Sequence, residues 1–339
     1  MARFILSKSR LLEQYNTIGQ LADAVSYSYK TNPEVGQVLE TETGCYFSVH
    51  SMKLLSTIKD KSRVWFFAQG WDRCEIEELL NLGVTHFVVD NIADLDTLVH
   101  SATKDISLLL RMKLKEHTIH TGKHFVFGMG SEDVNNKVKE LKANPKIKEI
   151  GIHFHRKTQN ISEWSLKEEL EQSLSEETLA IISTVNIGGG FPASYKNSRA
   201  DEVIRAIFSK VKELGEWLSS KNIKMILEPG RFLAAPAIKL EAEIKSVSGN
   251  NIIVDCSVYN AAMDTFVAHV RLLVEGEQEN GKAYTIKGIT PDSMDILRYR
   301  VFLKSEPKKG DKIIFLNAGA YNFSTEFCGL DKIPTEVED

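Results

Sequence analysis

Eight short apolar runs, each followed by a stretch patterned as helix, fill residues 10–233 and narrow the folds open to this chain more than any other feature. The runs lie at 25–29, 45–49, 64–67, 86–90, 107–111, 148–154, 184–187 and 224–227, and are rich in Val, Ile, Phe and Tyr. Near-continuous apolar runs of this length read as parallel strands buried on both faces. Stretches at 51–58 and 201–222 read as helices between them. In the second, Val203, Ile207, Val211, Leu214 and Leu218 recur every three or four residues to form one apolar stripe, which Asn222 is expected to end. Eight such units in succession predict a (β/α)8 barrel of the TIM type. A doubly wound open sheet shares the pattern and is the second choice.

After residue 234 the rhythm changes. Runs at 237–247, 251–255, 269–274, 283–288, 300–303 and 312–316 are short, rich in strand formers and separated by turn residues such as Ser248-Gly249-Asn250-Asn251 and Lys309-Gly310-Asp311. They predict an antiparallel β-domain over 234–339, joined by an N-terminal strand at residues 2–8, with a polar tail at the end. There are no internal repeats.

Composition narrows the function classes. A net charge of -4, with 26% charged residues of both signs interspersed, leaves no basic stripe for nucleic acid. No apolar stretch approaches the roughly 18 residues of a membrane helix, and Met1–Arg10 carries no apolar signal-peptide core. Cys45, Cys74, Cys256 and Cys328 lack metal-ligand spacing and read as free thiols. A cytoplasmic protein without a metal site is expected.

In a barrel, reactive groups gather where the strands end. Those ends carry Lys30, Ser48 with His50, Asp90, Arg111, His155, Gly188-Gly189-Gly190 and Glu228-Pro229-Gly230-Arg231. A lysine closing an apolar strand is partly desolvated, which frees its amine to form a Schiff base; an ordinary surface lysine is the plainer reading. The triple glycine suits a backbone nest for phosphate, or only a tight turn. Arg231 can add a charge-assisted contact to the same phosphate. Glu228 can face a pyridine nitrogen, or pair simply with Arg231. His155 can stack on a cofactor ring, or serve the core.

Tyr29-Lys30-Thr31-Asn32, His155, Gly188-Gly189-Gly190-Phe191-Pro192 and Glu228-Pro229-Gly230-Arg231 together resemble the signature of the fold-type III decarboxylases that use pyridoxal 5'-phosphate (PLP). These are the ornithine, arginine and diaminopimelate decarboxylases. Gly288-Ile289-Thr290-Pro291-Asp292-Ser293-Met294-Asp295 resembles the family's G-P-T-C-D-S-x-D segment, and Gly319-Ala320-Tyr321 with Phe327-Cys328-Gly329 its G-A-Y…F-N-G. The likeness runs from about residue 3 to 330. It implies that Lys30 carries the cofactor as a Schiff base, that His155 stacks on the ring and that Glu228 pairs with its nitrogen. Gly188, Gly189, Gly190, Arg231 and Tyr321 would hold the cofactor's phosphate, Gly230 would also bind the cofactor, and Arg111 would order the surroundings of the ring. It further implies a head-to-tail homodimer in which Asp292 reaches the substrate pocket of the other subunit.

Four departures stand out. The family's cysteine before Asp292 is Pro291, which leaves Cys256, Cys328, His153 or Tyr321 as candidate proton donors. The family's S-F-H-V-G-S-G run reads His153-Phe154-His155-Arg156-Lys157-Thr158-Gln159, and the acid of its D-x-x-S turn is Ser48, with Ser51 kept. The chain is also short for the family, without the usual N-terminal extension and several loop insertions, and could be one domain of a longer enzyme. Arg156 and Lys157 are candidates for binding a second anion of the substrate, or are solvated charges. An acid for a distal ammonium is missing unless Asp264 serves. The expectation is decarboxylation of a larger amino-acid conjugate in a specialised pathway, such as a microcin C-like peptide-nucleotide antibiotic or a siderophore. The rivals are a racemase or epimerase of the same architecture, a non-catalytic regulator resembling the antizyme inhibitors, and a PLP carrier.

Overall fold

The structure, a computed structural model, describes residues 1–114 and 127–339. Sixteen strands are found among the described residues. After β1 (Arg3–Ser7), eight follow in order: β2 (Ala24–Ser28), β3 (Tyr46–Val49), β4 (Val64–Ala68), β5 (His86–Val89), β6 (Ile106–Arg111), β7 (Ile147–His153), β8 (Thr184–Asn186) and β9 (Lys224–Leu227). Each pairs parallel with the next, and β9 returns to β2, closing the expected barrel.

The helix Ile204–Ser220 turns Ile207, Val211, Leu214 and Leu218 inward, as its periodicity predicts. Asn222 follows it with φ 59°, the left-handed residue that stops the chain from continuing as helix.

Side chains alternate across each barrel strand, and the alternation assembles the site. Trp65, Phe67, Val88, Leu109 and Ile226 pack together as an apolar plug separate from the main core. Two residues further along three of those strands, Asp90, Arg111 and Glu228 reach the wall of a cavity. One face of each strand thus supplies a dry floor and then a polar rim.

The remaining strands are β10 (Ile238–Ser248), β11 (Asn251–Val254), β12 (Leu273–Val274), β13 (Ala283–Lys287), β14 (Ile296–Phe302), β15 (Lys312–Leu316) and β16 (Thr335–Glu338). Their sheet runs β12-β15-β10-β11-β13-β14, and β1 joins it against β10. The sheet is mixed, which corrects the purely antiparallel expectation: β11 pairs parallel with β13, and β1 with β16. The polar tail is also partly strand. Backbone pairing and an Arg3–Glu336 ion pair hold β16 to β1, and its outer position lets it stay polar. No helix among the described residues is long and apolar enough to cross a membrane.

Candidate active site

A cavity of about 630 Å³ opens at the C-terminal ends of the barrel strands. It brings together Lys30, Arg111, His155, Arg156, Lys157, Gly189, Gly190, Glu228, Gly230, Arg231 and Tyr321 from the sequence-expected set. Gly188 stands one residue behind the wall. Asp292 is not among the lining residues of its own chain; its Oδ1 accepts from the Met294 backbone N–H at 2.7 Å.

Lys30 sits in the single 3-10 turn Tyr29–Thr31 that follows β2. Its open surface is cavity wall, and it borders a second cavity of about 590 Å³ as well. Surrounding protein desolvates the amine and holds its pKa below the usual lysine value; Arg111 adds to this, and Glu228 opposes it.

Glu228 directly follows β9, buried at 5% exposure. Its Oε1 accepts from Ser48 Oγ at 2.7 Å and Asn186 Nδ2 at 2.9 Å, while Oε2 faces His153 Nε2 at 3.3 Å. Burial alone would raise its pKa, but His153 and the hydrogen bonds from His153, Ser48 and Asn186 outweigh that and hold it below the usual carboxylate range, so the carboxylate is ionised.

His155 accepts from the Gly189 N–H at 3.1 Å through Nδ1, which fixes the tautomer protonated at Nε2. Desolvation by the cavity wall, then Arg111, push its pKa to about 3, so the ring is neutral.

Arg231 does not pair with Glu228. Its guanidinium is held by Asp264, with Nη2 3.2 Å from Oδ1 and a closer contact from Nη1, and it donates to Tyr195 Oη at 2.8 Å. Tyr195 and Tyr321 flank it with ring centroids 5.6 and 5.1 Å from Cζ. Asp264 is thereby committed, which corrects its candidacy as the acid for a substrate ammonium. Arg111 is likewise paired, with Asp90 at 3.1 Å.

The triple glycine is tight for reasons within the fold. A Cβ on Gly188 would stand 2.4 Å from the Phe154 carbonyl oxygen and one on Gly189 2.5 Å from that of Glu228. The Gly188 N–H donates to Asn186 Oδ1 at 2.9 Å and the Gly189 N–H to His155. Gly190 alone of the three keeps an N–H without a partner among the described residues.

Arg156 lines the cavity but is not a solvated charge. It is buried at 3% exposure, and its guanidinium pairs with Glu169 and, at 3.7 Å, with Glu163. A cation at that depth requires acids beside it, and the chain supplies two. Lys157 is part exposed and lies 3.5 Å from Glu163. Arg156→Ala is therefore expected to destabilise the protein by about 1–3 kcal/mol in urea unfolding, because it empties the place of a buried side chain and removes its ion pairs. Lys157→Ala is expected to leave stability within about 0.5 kcal/mol and to raise KM about fivefold for a substrate with a second anion, with kcat little changed.

Sequence reasoning assigned no role to Asn186 or Tyr195. Asn186 precedes Gly188 by two residues on β8, so the strand's alternation was the available signal. Tyr195 lies in a loop, where no periodicity points to it. His50 lines the cavity and stacks on Phe67, with centroids 4.8 Å apart.

The donor set fits pyridoxal phosphate: an accessible amine, an ionised carboxylate, a neutral imidazole, and a guanidinium near an unpartnered N–H. The sequence model of the pyridoxal-dependent decarboxylases, pyridoxal binding domain, matches residues 9–235. The chain belongs to this family. It is 25% identical to diaminopimelate decarboxylase of Neisseria meningitidis serogroup A, over 95% of this chain and 85% of that protein. It is 23% identical to the L-glutamyl-[BtrI acyl-carrier protein] decarboxylase of Niallia circulans, over 80% and 71%. In fold it is similar to the lysine/ornithine decarboxylase of Vibrio vulnificus solved with cadaverine, with a TM-score of 0.80, 22% identity and coverage of 100% and 95%. The protein is a PLP-dependent amino-acid decarboxylase.

Proposed function

We propose that this decarboxylase removes the α-carboxylate of an amino-acid conjugate rather than of a simple dibasic amino acid, in a specialised pathway such as peptide-nucleotide antibiotic or siderophore assembly. One observation carries the reading. The carboxylates that border the cavity or back its cations are committed within the chain: Asp90 to Arg111, Asp264 to Arg231, and Glu228 to Ser48, Asn186 and His153. Within one chain no described acid on that wall is left to meet a distal ammonium, so a dibasic substrate would depend on Asp292 of a second copy alone, and leaving such a charge unmet in a pocket is costly.

Bound PLP supplies the electron sink that accepts the pair left behind when CO₂ departs. Lys30 holds the cofactor through its amine, and its lowered pKa favours the unprotonated form. His155 offers a flat neutral face, and Glu228 holds a proton at the ring nitrogen. Arg231, Tyr321, Gly230 and the glycines of 188–190 hold the phosphate, while the Arg111–Asp90 pair keeps the rim in order. Asp292 acts on the substrate from a second copy of the chain, in a head-to-tail homodimer. The four cysteines are all free thiols, in keeping with a cytoplasmic enzyme.

The test is CO₂ release by the PLP-loaded protein from ornithine, lysine, arginine, diaminopimelate and conjugates bearing a 3-amino-3-carboxypropyl group. Release from a conjugate alone is the expected result. Efficient release from a dibasic amino acid would return the enzyme to polyamine or lysine metabolism.

A further inference from the structure

The carboxylate of Glu228 is asymmetrically satisfied. Oε1 takes both Ser48 and Asn186, and Ser48 is itself braced by Ser26 at 2.8 Å. Oε2 has one protein donor among the described residues, His153 Nε2 at 3.3 Å. With Oε1 saturated, Oε2 is the oxygen left to meet a cofactor nitrogen.

His153 is peculiar in its own right. It is 1% exposed, yet Nδ1 has no hydrogen-bond partner. An imidazolium there would bury an unmatched N–H, which costs about 1–3 kcal/mol or more. Phe67 meets the ring edge-on at 5.1 Å and offers Nδ1 no acceptor. The ring is therefore neutral, protonated at Nε2, and aimed at Oε2. The charged and titratable groups around the pair are Lys30 and His50 beyond β2 and β3, Asp90 beyond β5, Arg111 on β6 and His155 beyond β7. Burial first, and Arg111 with it, oppose a positive charge on His153 and prevail over Glu228 and Asp90, which favour one.

We propose that His153 is a positioning residue for the cofactor: donating from Nε2 to Oε2 of Glu228, it orients and keeps anionic the one carboxylate oxygen that holds the proton at the cofactor's ring nitrogen. The inference rests on Glu228 facing that nitrogen. Without the donor, a buried carboxylate with one bare oxygen drifts toward its neutral form, and the proton moves from the ring to Glu228. The 3.3 Å separation is long for an N–H···O bond and leaves room to tighten when the site fills.

The experiment loads the full-length enzyme with ring-¹⁵N pyridoxal phosphate and reads the nitrogen's shift at about pH 7. The parent is expected to show a protonated nitrogen and His153→Phe an unprotonated one, with kcat down about tenfold or more and KM within about twofold. His153→Gln, which keeps an N–H donor, is expected to restore the protonated signal. A protonated nitrogen in His153→Phe, or a glutamine variant no better than phenylalanine, overturns the proposal. Should neither variant hold cofactor, ¹⁵N-histidine spectra of the parent decide: a neutral Nε2–H ring supports it, and an imidazolium or the Nδ1–H tautomer overturns it. Glu228→Gln separates the two layers. Loss of the ring proton there but not in His153→Phe refutes His153 alone, whereas retention in both refutes the placement of Glu228.

Discussion

Lys30→Ala is expected to lower turnover about a thousandfold or more, equivalent to about 4 kcal/mol of transition-state stabilisation, and to abolish the visible absorbance of lysine-bound cofactor. Among the described residues two other lysines line the cavity, Lys113 and Lys157, and Lys157 is drawn toward Glu163. The substitution removes a long side chain from an open wall and leaves no buried partner unsatisfied, so the fold is expected to stay intact by circular dichroism. A variant with near-normal turnover would remove Lys30 from the chemistry.

The second large effect falls on stability. Asp264→Ala leaves the Arg231 guanidinium, 4% exposed, without its carboxylate. Breaking a buried pair from one side costs about 3–5 kcal/mol, because the remaining charge is stranded. The double variant Arg231→Met, Asp264→Leu is expected to lose markedly less, since it strands nothing. Pyridoxal phosphate gives an independent check. If Arg231 faces its phosphate, the cofactor's negative charge replaces that of Asp264, and loading should restore more of the thermal midpoint in Asp264→Ala than it adds to the parent. Equal gains in the two proteins would remove Arg231 from the phosphate site.

How far the sequence could be read follows from where its signals are local. The barrel was legible because a buried parallel strand needs a continuous apolar run, and all eight runs became strands within a residue or two at each end. Lys30, Glu228 and Arg231 were legible because strand ends and the Glu-Pro-Gly-Arg motif sit within a few residues. Partners at long separation were not. Asp264 is 33 residues from Arg231 and Ser48 is 180 from Glu228, and nothing in either segment announces the pairing. The acids that pair with Arg156 were hidden in the same way: Glu163 and Glu169 lie seven and 13 residues further on. β16 was missed because an outer strand needs no apolar alternation.

The placement of β1 has a consequence for how the chain is made. Arg3 registers with Glu241 and Phe4 with Thr335, so among the described residues β1 pairs only with segments more than two hundred residues further along the chain. Throughout translation of the barrel it is an unpaired edge carrying Phe4 and Leu6, both buried in the finished protein. The barrel's neighbouring strands can zip up in order as they emerge, but the second sheet waits for the whole chain. The vulnerable period for this protein is thus the interval between a closed barrel and a docked β1, when a protease or a chaperone would find that strand loose.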